Sequence, residues 1–408
     1  MKERILVKFK SHQSLFIIVF GAVGFFITNI ILKEKLNPIE YGEYSMVITF
    51  FSMVYIYGLL GLEQVLVKYS HIIEKNILTT DTFLIKITTG SILVSSIISS
   101  IFFLLYYNAI QVNPILFYIS TACMISLLFL YSVFRLNSNF VLAQLAQNGF
   151  KIIFFVVVSF LLFLKRFYLN EVFLILFLSI IIVFLAGAIY LNNKIDFKFN
   201  KSTTNKTILA AGFYFLISTS TFSIINFADR YLIEYKLGLE KVGDYFYLSN
   251  IFLSPFSIFQ GYIGFKKLVQ YKNSFEVETF KKNNKTNLFL GFLLAVVLLL
   301  FYKFIEITKM VNFNFAENLN VILLLLALGI AKLYSSGIYP AFDVVINLQN
   351  LKKAKTLILL ITLTLVLSAF LIAHNTETII LIMILIWITK TLLLKSFLLK
   401  QVKREKIE

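Results

Sequence analysis

The segment VFLILFLSIIIVFLAGAIYL, residues 172–191, contains twenty consecutive residues without a charged side chain. A helix rises about 1.5 Å per residue, so this length spans the roughly 30 Å hydrocarbon core of a bilayer. The same character extends over the chain, in which 59% of the 408 residues are hydrophobic and only 14% are charged. So few charged residues cannot cover a water-soluble protein of this size. We therefore predict an all-α polytopic membrane protein.

Twelve apolar segments are candidates for transmembrane helices, because closed helices satisfy every backbone group of such segments within lipid. They lie near residues 12–32, 45–62, 83–107, 114–134, 149–164, 171–191, 207–227, 244–265, 288–302, 319–346, 356–373 and 378–399. A cleaved signal peptide is the alternative interpretation of the first segment. Its apolar stretch, 15–32, is longer than the usual hydrophobic region of a signal peptide and ends in Lys33-Glu34-Lys35 without a small-residue cleavage pattern. We expect this helix to be retained.

The distribution of basic residues predicts the orientation of the chain. With the N-terminus inside, 25 of the 38 Lys and Arg residues fall in the inner segments, 9 in the outer loops and 4 within spans. Cytoplasmic loops are enriched in Lys and Arg, so both termini are predicted to be cytoplasmic. Topology therefore explains most of the formal net charge of +17, and nucleic-acid binding is not needed to explain it.

The two halves of the chain share three short motifs in the same order, at offsets of 201, 202 and 208 residues. They are KLNPIEYGEY at 35–44 with KLGLEKVGDY at 236–245, LVKY at 66–69 with LVQY at 268–271, and YSVF at 131–134 with YPAF at 339–342. Chance in a biased composition could produce any one of these matches. Three collinear matches at equivalent places instead indicate an internal repeat.

An even number of helices per half gives both halves the same orientation in the membrane. We therefore predict two parallel six-helix bundles around a central cleft, the N-terminal bundle over residues 1–200 and the C-terminal bundle over 201–408. Gly42 and Gly243 occupy matching positions, which we place in outer turns just before helices 2 and 8. A glycine there permits a positive φ or a close backbone approach.

Lys332 is the most deeply placed candidate for a functional charge, about thirteen residues into the tenth segment. Helical spacing places it at the head of a polar stripe whose other members are Ser335, Ser336, Tyr339 and Asp343. A charge near the bilayer centre costs at least about 2.5 kcal/mol, so such a residue is a functional candidate. The alternative is a structural lysine, neutral or paired internally. The depth of Lys390 leaves its role open.

Other polar residues of the spans have two interpretations each. Asn226 and Arg230 share one face of helix 7, where they either line a wet cleft or form a packing seam between helices. Arg135 and Asp343 lie at equivalent inner ends of helices 4 and 10, one in each half. They are predicted to pair as an inner gate; the alternative is that both stay solvated at the head-group level.

The sequence contains no arrangement that supports catalysis. Its single cysteine, Cys123, lies in an apolar segment, and its three histidines, His12, His71 and His374, are scattered. We therefore predict no metal site and no cofactor. No glycine-rich phosphate loop precedes a Lys-Ser/Thr pair, and no outer loop is long enough to form a domain. We predict that the chain is not an enzyme.

Several short motifs resemble those of polysaccharide (O-antigen) flippases of the Wzx type, in the MOP exporter superfamily. They are Tyr41-Gly42-Glu43-Tyr44 after helix 1, Gly61-Leu62 at the end of helix 2, and Asp229-Arg230 followed by LGLEKVGDY at 237–245. The resemblance covers nearly the whole chain. It implies alternating access that moves polyprenyl-pyrophosphate-linked oligosaccharide repeat units to the outer leaflet through a cationic lumen. It also implies coupling to an ion gradient, with proton or sodium as the ion.

The resemblance implies a site, partners and a location. Arg230 corresponds to the family's arginine after helix 7, and Gly243 and Tyr245 to its turn. The predicted substrate-binding residues are Lys332, Ser335, Ser336, Tyr339, Arg230 and Asn226. The implied partners are the lipid-linked oligosaccharide, membrane lipid, the coupling ion and a polysaccharide polymerase, in a bacterial cytoplasmic (inner) membrane.

The main alternative function is an ion-coupled small-molecule or multidrug exporter of the same architecture. Further alternatives are a channel, a polymerase or a ligase. An exporter coupled to cations is expected to carry an acidic residue deep in a span. The sequence indicates only Asp343, near the end of a helix.

Overall fold

The computed structural model describes residues 2–74, 76–161, 168–200, 204–308 and 313–405, and helices dominate them. The helices are α1 (Lys2–Lys35), α2 (Pro38–Tyr57), α3 (Leu62–Tyr69), α4 (Thr82–Tyr106), α5 (Pro114–Leu136), α6 (Phe140–Leu161), α7 (Leu169–Lys194), α8 (Asn205–Leu237), α9 (Leu239–Phe252), α10 (Ser254–Asn273), α11 (Val277–Thr308), α12 (Leu319–Ser335), α13 (Ile338–Val345), α14 (Leu348–Ile372) and α15 (Thr376–Glu405). The strands are β1 (His71–Glu74), β2 (Ile77–Thr80) and β3 (Asp196–Phe199).

Eleven helical segments in this part of the chain are long and apolar enough to cross a membrane. Large apolar side chains on them are turned outward, as at Leu105 and Ile307, which are 74% and 79% exposed. Such surfaces require lipid around them, because exposing this much apolar area to water would be unfavourable. The prediction of an all-α polytopic membrane protein is confirmed.

The predicted eighth span, residues 244–265, is interrupted in the structure. It corresponds to α9 and α10, which meet at Leu253. Pro255 follows immediately, and because proline has no backbone N–H it cannot continue the hydrogen bonding of α9. The Ser254-Pro255 dipeptide was the sequence signal for this break.

The starts of α2 and α9 lie at matching positions of the internal repeat. The Asn37 side chain accepts a hydrogen bond from the Glu40 N–H at 2.9 Å, and the Glu40 carboxylate accepts one from the Asn37 N–H at 3.0 Å. This capping box starts α2, while Gly238, with a φ of +86°, precedes α9. Gly42 and Gly243 therefore lie inside these helices, and their placement in outer turns is wrong.

The fifth span begins at Phe140, nine residues before the predicted start at 149. The backbone N–H of Leu142 donates to the Asn139 side chain at 3.4 Å, and the polar residues that follow lowered the hydropathy of this turn. The earlier start places Lys151 in the middle of α6 rather than at the start of the span, whereas the count of basic residues assigned it to an inner segment. Its ammonium group donates to Asn148 Oδ1 at 3.2 Å.

The chain divides into two compact units, Met1–Ser223 and Ile224–Glu408, with the division inside α8. The predicted boundary between residues 200 and 201 lies before this helix, and the arrangement as two repeated bundles stays a prediction. The core of the N-terminal unit is aromatic: the rings of Phe50, Phe103 and Phe117 lie 4.6 to 5.1 Å apart.

The break between α2 and α3 is the most strained backbone of the N-terminal unit. Leu60 and Gly61 have φ angles of +53° and +79°. A Cβ on Gly61 would lie 2.5 Å from the backbone nitrogen of Leu216 in α8. Only glycine permits both this conformation and this approach, so Gly61 brings α8 against the break.

The three strands form one small sheet in the order β1-β2-β3. β1 and β2 are antiparallel, with His71 opposite Thr79, and β3 runs parallel to β2, with Ile77 opposite Asp196. The sheet thereby joins the α3–α4 connection to the α7–α8 connection at the same end of the N-terminal unit.

Candidate functional site

The candidate site of the C-terminal unit is built around the break between α12 and α13. The sequence predicts one continuous helix over 319–346, but α12 ends at Ser335 and α13 begins at Ile338. The hydroxyls of Ser335 and Ser336 donate to the carbonyls of Lys332 and Leu333, both at 2.6 Å. These bonds, with Gly337 and the missing N–H of Pro340, account for the break.

Lys332 lies in the last turn of α12 and is only 6% exposed. Its ammonium group donates to Asn226 Oδ1 of α8 at 3.3 Å and lies 5.2 Å from the ring centroid of Trp387 in α15. An amide oxygen and an aromatic face thus replace part of the water that this charge would have in solution.

Lys390, one turn after Trp387, is the second buried lysine of the cluster and is 2% exposed. Its ammonium group lies 4.4 Å from the centroid of the Trp387 ring and 4.3 Å from that of Tyr339. Two ammonium groups therefore share one indole. Like charges this close repel each other in a low-dielectric interior, so an anion bound beside them would relieve the repulsion.

Asp229 supplies a buried carboxylate to the same unit and is 5% exposed. It accepts hydrogen bonds from the Tyr245 hydroxyl and from the backbone N–H of Arg230. Tyr245 lies within α9, so its assignment to a turn, like that of Gly243, is wrong.

The Arg230 side chain packs against aromatic rings. Its guanidinium lies 4.9 Å from the ring centroid of Phe246 and 5.6 Å from that of Phe227. Arginine stacks well on such rings because its planar charge is weakly hydrated. In this arrangement Arg230 is held by packing as well as by charge.

The two serines of the predicted site are engaged within the unit. Gln260 donates to Ser335 Oγ at 3.4 Å, and Asn287 donates to Ser336 Oγ at 3.2 Å. Both serines are at most 3% exposed. Their hydroxyls hold α10 and α11 to the end of α12, which favours a packing role for these two residues.

The two residues of the predicted gate have local contacts in their own units. Asp343 lies 3.3 Å from the ammonium group of Lys355. The Arg135 guanidinium lies 5.4 Å from the ring centroid of Tyr131. The pairing of Arg135 with Asp343 stays a prediction.

Sequence reasoning identified Lys332 and Asn226, which the structure brings into contact. It named Asp229 as part of a family motif but did not include it in the predicted site, and it overlooked Trp387. Trp387 is the single tryptophan of the chain and precedes Lys390 by three residues, so both lie on one face of α15. A lysine within a span, one helical turn from this tryptophan, was the signal available in the sequence.

Comparison with known families gives a match over residues 13–265 to a family described as polysaccharide biosynthesis protein. This match covers more than half of the chain. The chain belongs to the polysaccharide biosynthesis protein family. The resemblance indicated by its sequence motifs, to flippases of the MOP superfamily, is thereby confirmed at the level of the family. Comparison with curated proteins finds no match.

Two solved structures are similar in fold. One is an outward-facing multidrug resistance MATE family transporter of the MOP superfamily, with a TM-score of 0.59, 11% identity, and coverage of 96% of this chain and 95% of that one. The other is a MATE protein in complex with Br-NRF, with a TM-score of 0.55, 12% identity, and coverage of 97% and 95%. At these identities the likeness establishes the fold, a MATE-type helical fold.

Proposed function

We propose that this protein flips polyprenyl-pyrophosphate-linked oligosaccharide repeat units across the cytoplasmic membrane, for surface polysaccharide biosynthesis. The observation that carries the proposal is the pair of buried lysines, Lys332 and Lys390, whose ammonium groups both lie close to the ring of Trp387. The family match and the MATE-type fold support transport rather than catalysis.

The substrate poses a problem that this site is suited to solve. A pyrophosphate and its sugars cannot enter hydrocarbon without a large desolvation cost, whereas the polyprenyl tail stays in lipid throughout. A polar, positively charged path for the head group lowers the barrier, and no covalent bond needs to change. Lys332 and Lys390 would provide that charge, with Asn226 as an uncharged hydrogen-bonding neighbour.

The sign of the charge distinguishes this function from export of cationic drugs. Two buried ammonium groups repel a cationic ligand and attract a pyrophosphate, which carries several acceptor oxygens. Asp229, whose carboxylate accepts from the Tyr245 hydroxyl and the Arg230 N–H, offsets one of these two positive charges and leaves the other. The net positive charge of the cluster therefore favours an anionic head group.

The proposed cycle is alternating access of the two predicted bundles, with both termini cytoplasmic. A proton or sodium gradient would drive it in one direction, and a polysaccharide polymerase would use the flipped unit on the outer side. Gly-rich phosphate-binding motifs are absent from the sequence, so the proposal assigns no ATP hydrolysis to this chain.

The proposal is tested in cells that make the polysaccharide. Lys332→Ala should lower surface polysaccharide and increase lipid-linked repeat units in the cytoplasmic leaflet, with normal amounts of the protein in the membrane. The matched control is Lys400→Ala, which removes an exposed lysine from the last part of α15. Normal surface polysaccharide in the Lys332 variant would refute the proposed role of this residue.

A further inference from the structure

A cavity of about 680 Å³ lies in the N-terminal unit, between the α4–α5 loop and the first turns of α7. This volume is within the range of about 300–1,000 Å³ that is typical of small-molecule sites. The cavity is separate in sequence from the lysine cluster, because all its lining residues lie between 104 and 177. With the orientation predicted above, it is at the outer end of the unit.

The walls of the cavity carry four amide side chains: Asn108, Gln111, Asn113 and Asn170. None of the described residues that line it is charged. An amide offers both hydrogen-bond donors and an acceptor, which matches hydroxyl groups, since these also donate and accept. The composition therefore favours an uncharged, hydroxyl-rich ligand over the anionic group expected at Lys332.

The loop that carries these amides is fixed to the bundle. Tyr107 and Ile110 are 6% and 4% exposed and anchor the loop between α4 and α5. The Asn113 side chain accepts hydrogen bonds from the backbone N–H groups of Ile115 and Leu116, both at 3.1 Å. This cap fixes the side chain of Asn113 through its carbonyl oxygen, and the NH2 group has no part in the cap.

The cavity also has an apolar lining on α7. Phe173 and Phe177 lie one turn apart, with ring centroids 6.1 Å apart and an interplanar angle of 6°. Both contribute to the cavity wall although little of either is exposed. A sugar ring has an apolar C–H face as well as hydroxyl groups, so amides beside aromatic carbon suit both of its surfaces.

We infer that this cavity is a binding site for uncharged sugar residues of the transported oligosaccharide. The inference rests on the proposed function and divides the head group between two sites. The lysine cluster of the C-terminal unit binds the pyrophosphate, and the amide cavity of the N-terminal unit binds sugars at the outer end. A site of this size holds part of a repeat unit, so it acts on the orientation and release of the glycan.

Photo-cross-linking in polysaccharide-producing cells tests the inference on the full chain. A benzophenone amino acid replaces Gln111 at the cavity, and a matched control replaces Asn314, an exposed amide of the α11–α12 connection. After illumination, the protein is purified and its adducts are identified by mass spectrometry. The expected result is a glycan-bearing adduct at position 111 and little or none at 314.

Three other outcomes would overturn the inference. A phospholipid adduct at position 111 would identify the cavity as a lipid site, equal glycan adducts at both positions would show non-specific contact, and no adduct would show an unoccupied cavity. If only the assignment of the cavity is wrong, Lys332→Ala still lowers the amount of surface polysaccharide. If the proposed function is wrong, that decrease is absent as well.

A pair of substitutions gives a second, quantitative test. Gln111→Ala with Asn170→Ala should lower the yield of glycan adduct from a cross-linker at Leu174, another lining residue, by at least about 5-fold, as expected for two lost hydrogen bonds. Asn113 is left unchanged because its side chain caps α5. An undiminished adduct in a variant that reaches the membrane normally would contradict the assignment of these amides.

Discussion

Each unit of the protein places a lysine within a membrane-spanning helix, beside an amide and an aromatic ring. In the N-terminal unit, Lys151 donates to Asn148 at 3.2 Å and lies 5.8 Å from the ring centroid of Phe150. In the C-terminal unit, Lys332 donates to Asn226 at 3.3 Å and lies 5.2 Å from that of Trp387. The immediate surroundings of the two charges are nearly the same.

The two lysines differ in the number of helices and of other charged side chains around them. Lys151 contacts Asn148 and Phe150 of its own helix and lies 5.9 Å from the ring centroid of Phe25 in α1, so it joins two helices. Lys332 joins three helices, α8, α12 and α15, and a second lysine, Lys390, approaches the same indole. A single lysine with an amide partner is compatible with a purely structural role. Two lysines on one ring raise the electrostatic cost of the folded state, and a bound anion would offset that cost. We therefore predict that convergence of charges, rather than burial of a single charge, marks the anion-binding site.

Removing both lysines of the C-terminal unit should have the largest effect. In reconstituted vesicles, Lys332→Ala with Lys390→Ala should slow flipping of the pyrophosphate-linked lipid by at least about 100-fold, as expected when two hydrogen bonds to a charged group are lost. The initial rate of flipping is the measurement. A double variant that stays within a few-fold of the wild type would remove the distinction between the two units.

Removing the shared ring should have the next largest effect. Trp387→Leu should lower the rate by about 30-fold, because a desolvated cation–π contact is worth roughly 2 kcal/mol and the ammonium groups lose their common partner. Trp387→Tyr preserves an aromatic face and should retain more of the rate. If the leucine and tyrosine variants were equally slow, the indole would matter for packing only.

Lys151 is the matched test of the other unit. Lys151→Met keeps the length and the apolar stem of the side chain, and it should leave the rate of flipping close to that of the wild type. Removing a charge from the span should also keep the protein folded, since the desolvation of Lys151 is then no longer required. A loss as large as that of Lys332→Ala would mean that the N-terminal unit contributes equally to anion transfer.

The smallest expected effect is on stability and concerns the start of α2. Asn37→Ala removes the capping box and should cost about 1 kcal/mol of stability, seen as a lower apparent melting temperature of the purified protein. Asn37→Ser keeps a capping oxygen and is the control. The rate of flipping at low temperature should be unchanged, because this cap is far in sequence from the lysine cluster. Equal melting temperatures for all three proteins would show that the cap contributes nothing measurable.

The sequence was sufficient for the parts of the fold that depend on composition, since apolar segments long enough to cross a bilayer predicted most of the spans. The predicted starts of the second and eighth spans, 45 and 244, lie after the observed starts of α2 and α9 at Pro38 and Leu239. The sequence was insufficient where a helix is interrupted or extended by a few residues. Pro255 divides the eighth span, and the fifth span begins at Phe140, directly after Asn139, rather than at residue 149.

The candidate site was predicted in part for a similar reason. Periodicity along one helix identified Lys332, since that pattern is local. The predicted stripe from Lys332 to Asp343 assumed a continuous helix and is interrupted by the break between α12 and α13. The contacts of Lys332 with Asn226 and Trp387 join residues more than fifty positions apart, which no single-helix pattern contains. The amide cavity likewise depends on a loop and α7 meeting in space.

The central claim is that the C-terminal unit recognises the pyrophosphate of a lipid-linked oligosaccharide. The most direct measurement compares two substrates in vesicles that contain the purified protein: the oligosaccharide on polyprenyl pyrophosphate, and the same oligosaccharide on polyprenol without phosphate. We expect the first to be flipped much faster, and Lys332→Ala with Lys390→Ala to abolish the difference. Equal rates for the two lipids, or export of a cationic dye with neither lipid flipped, would contradict this claim.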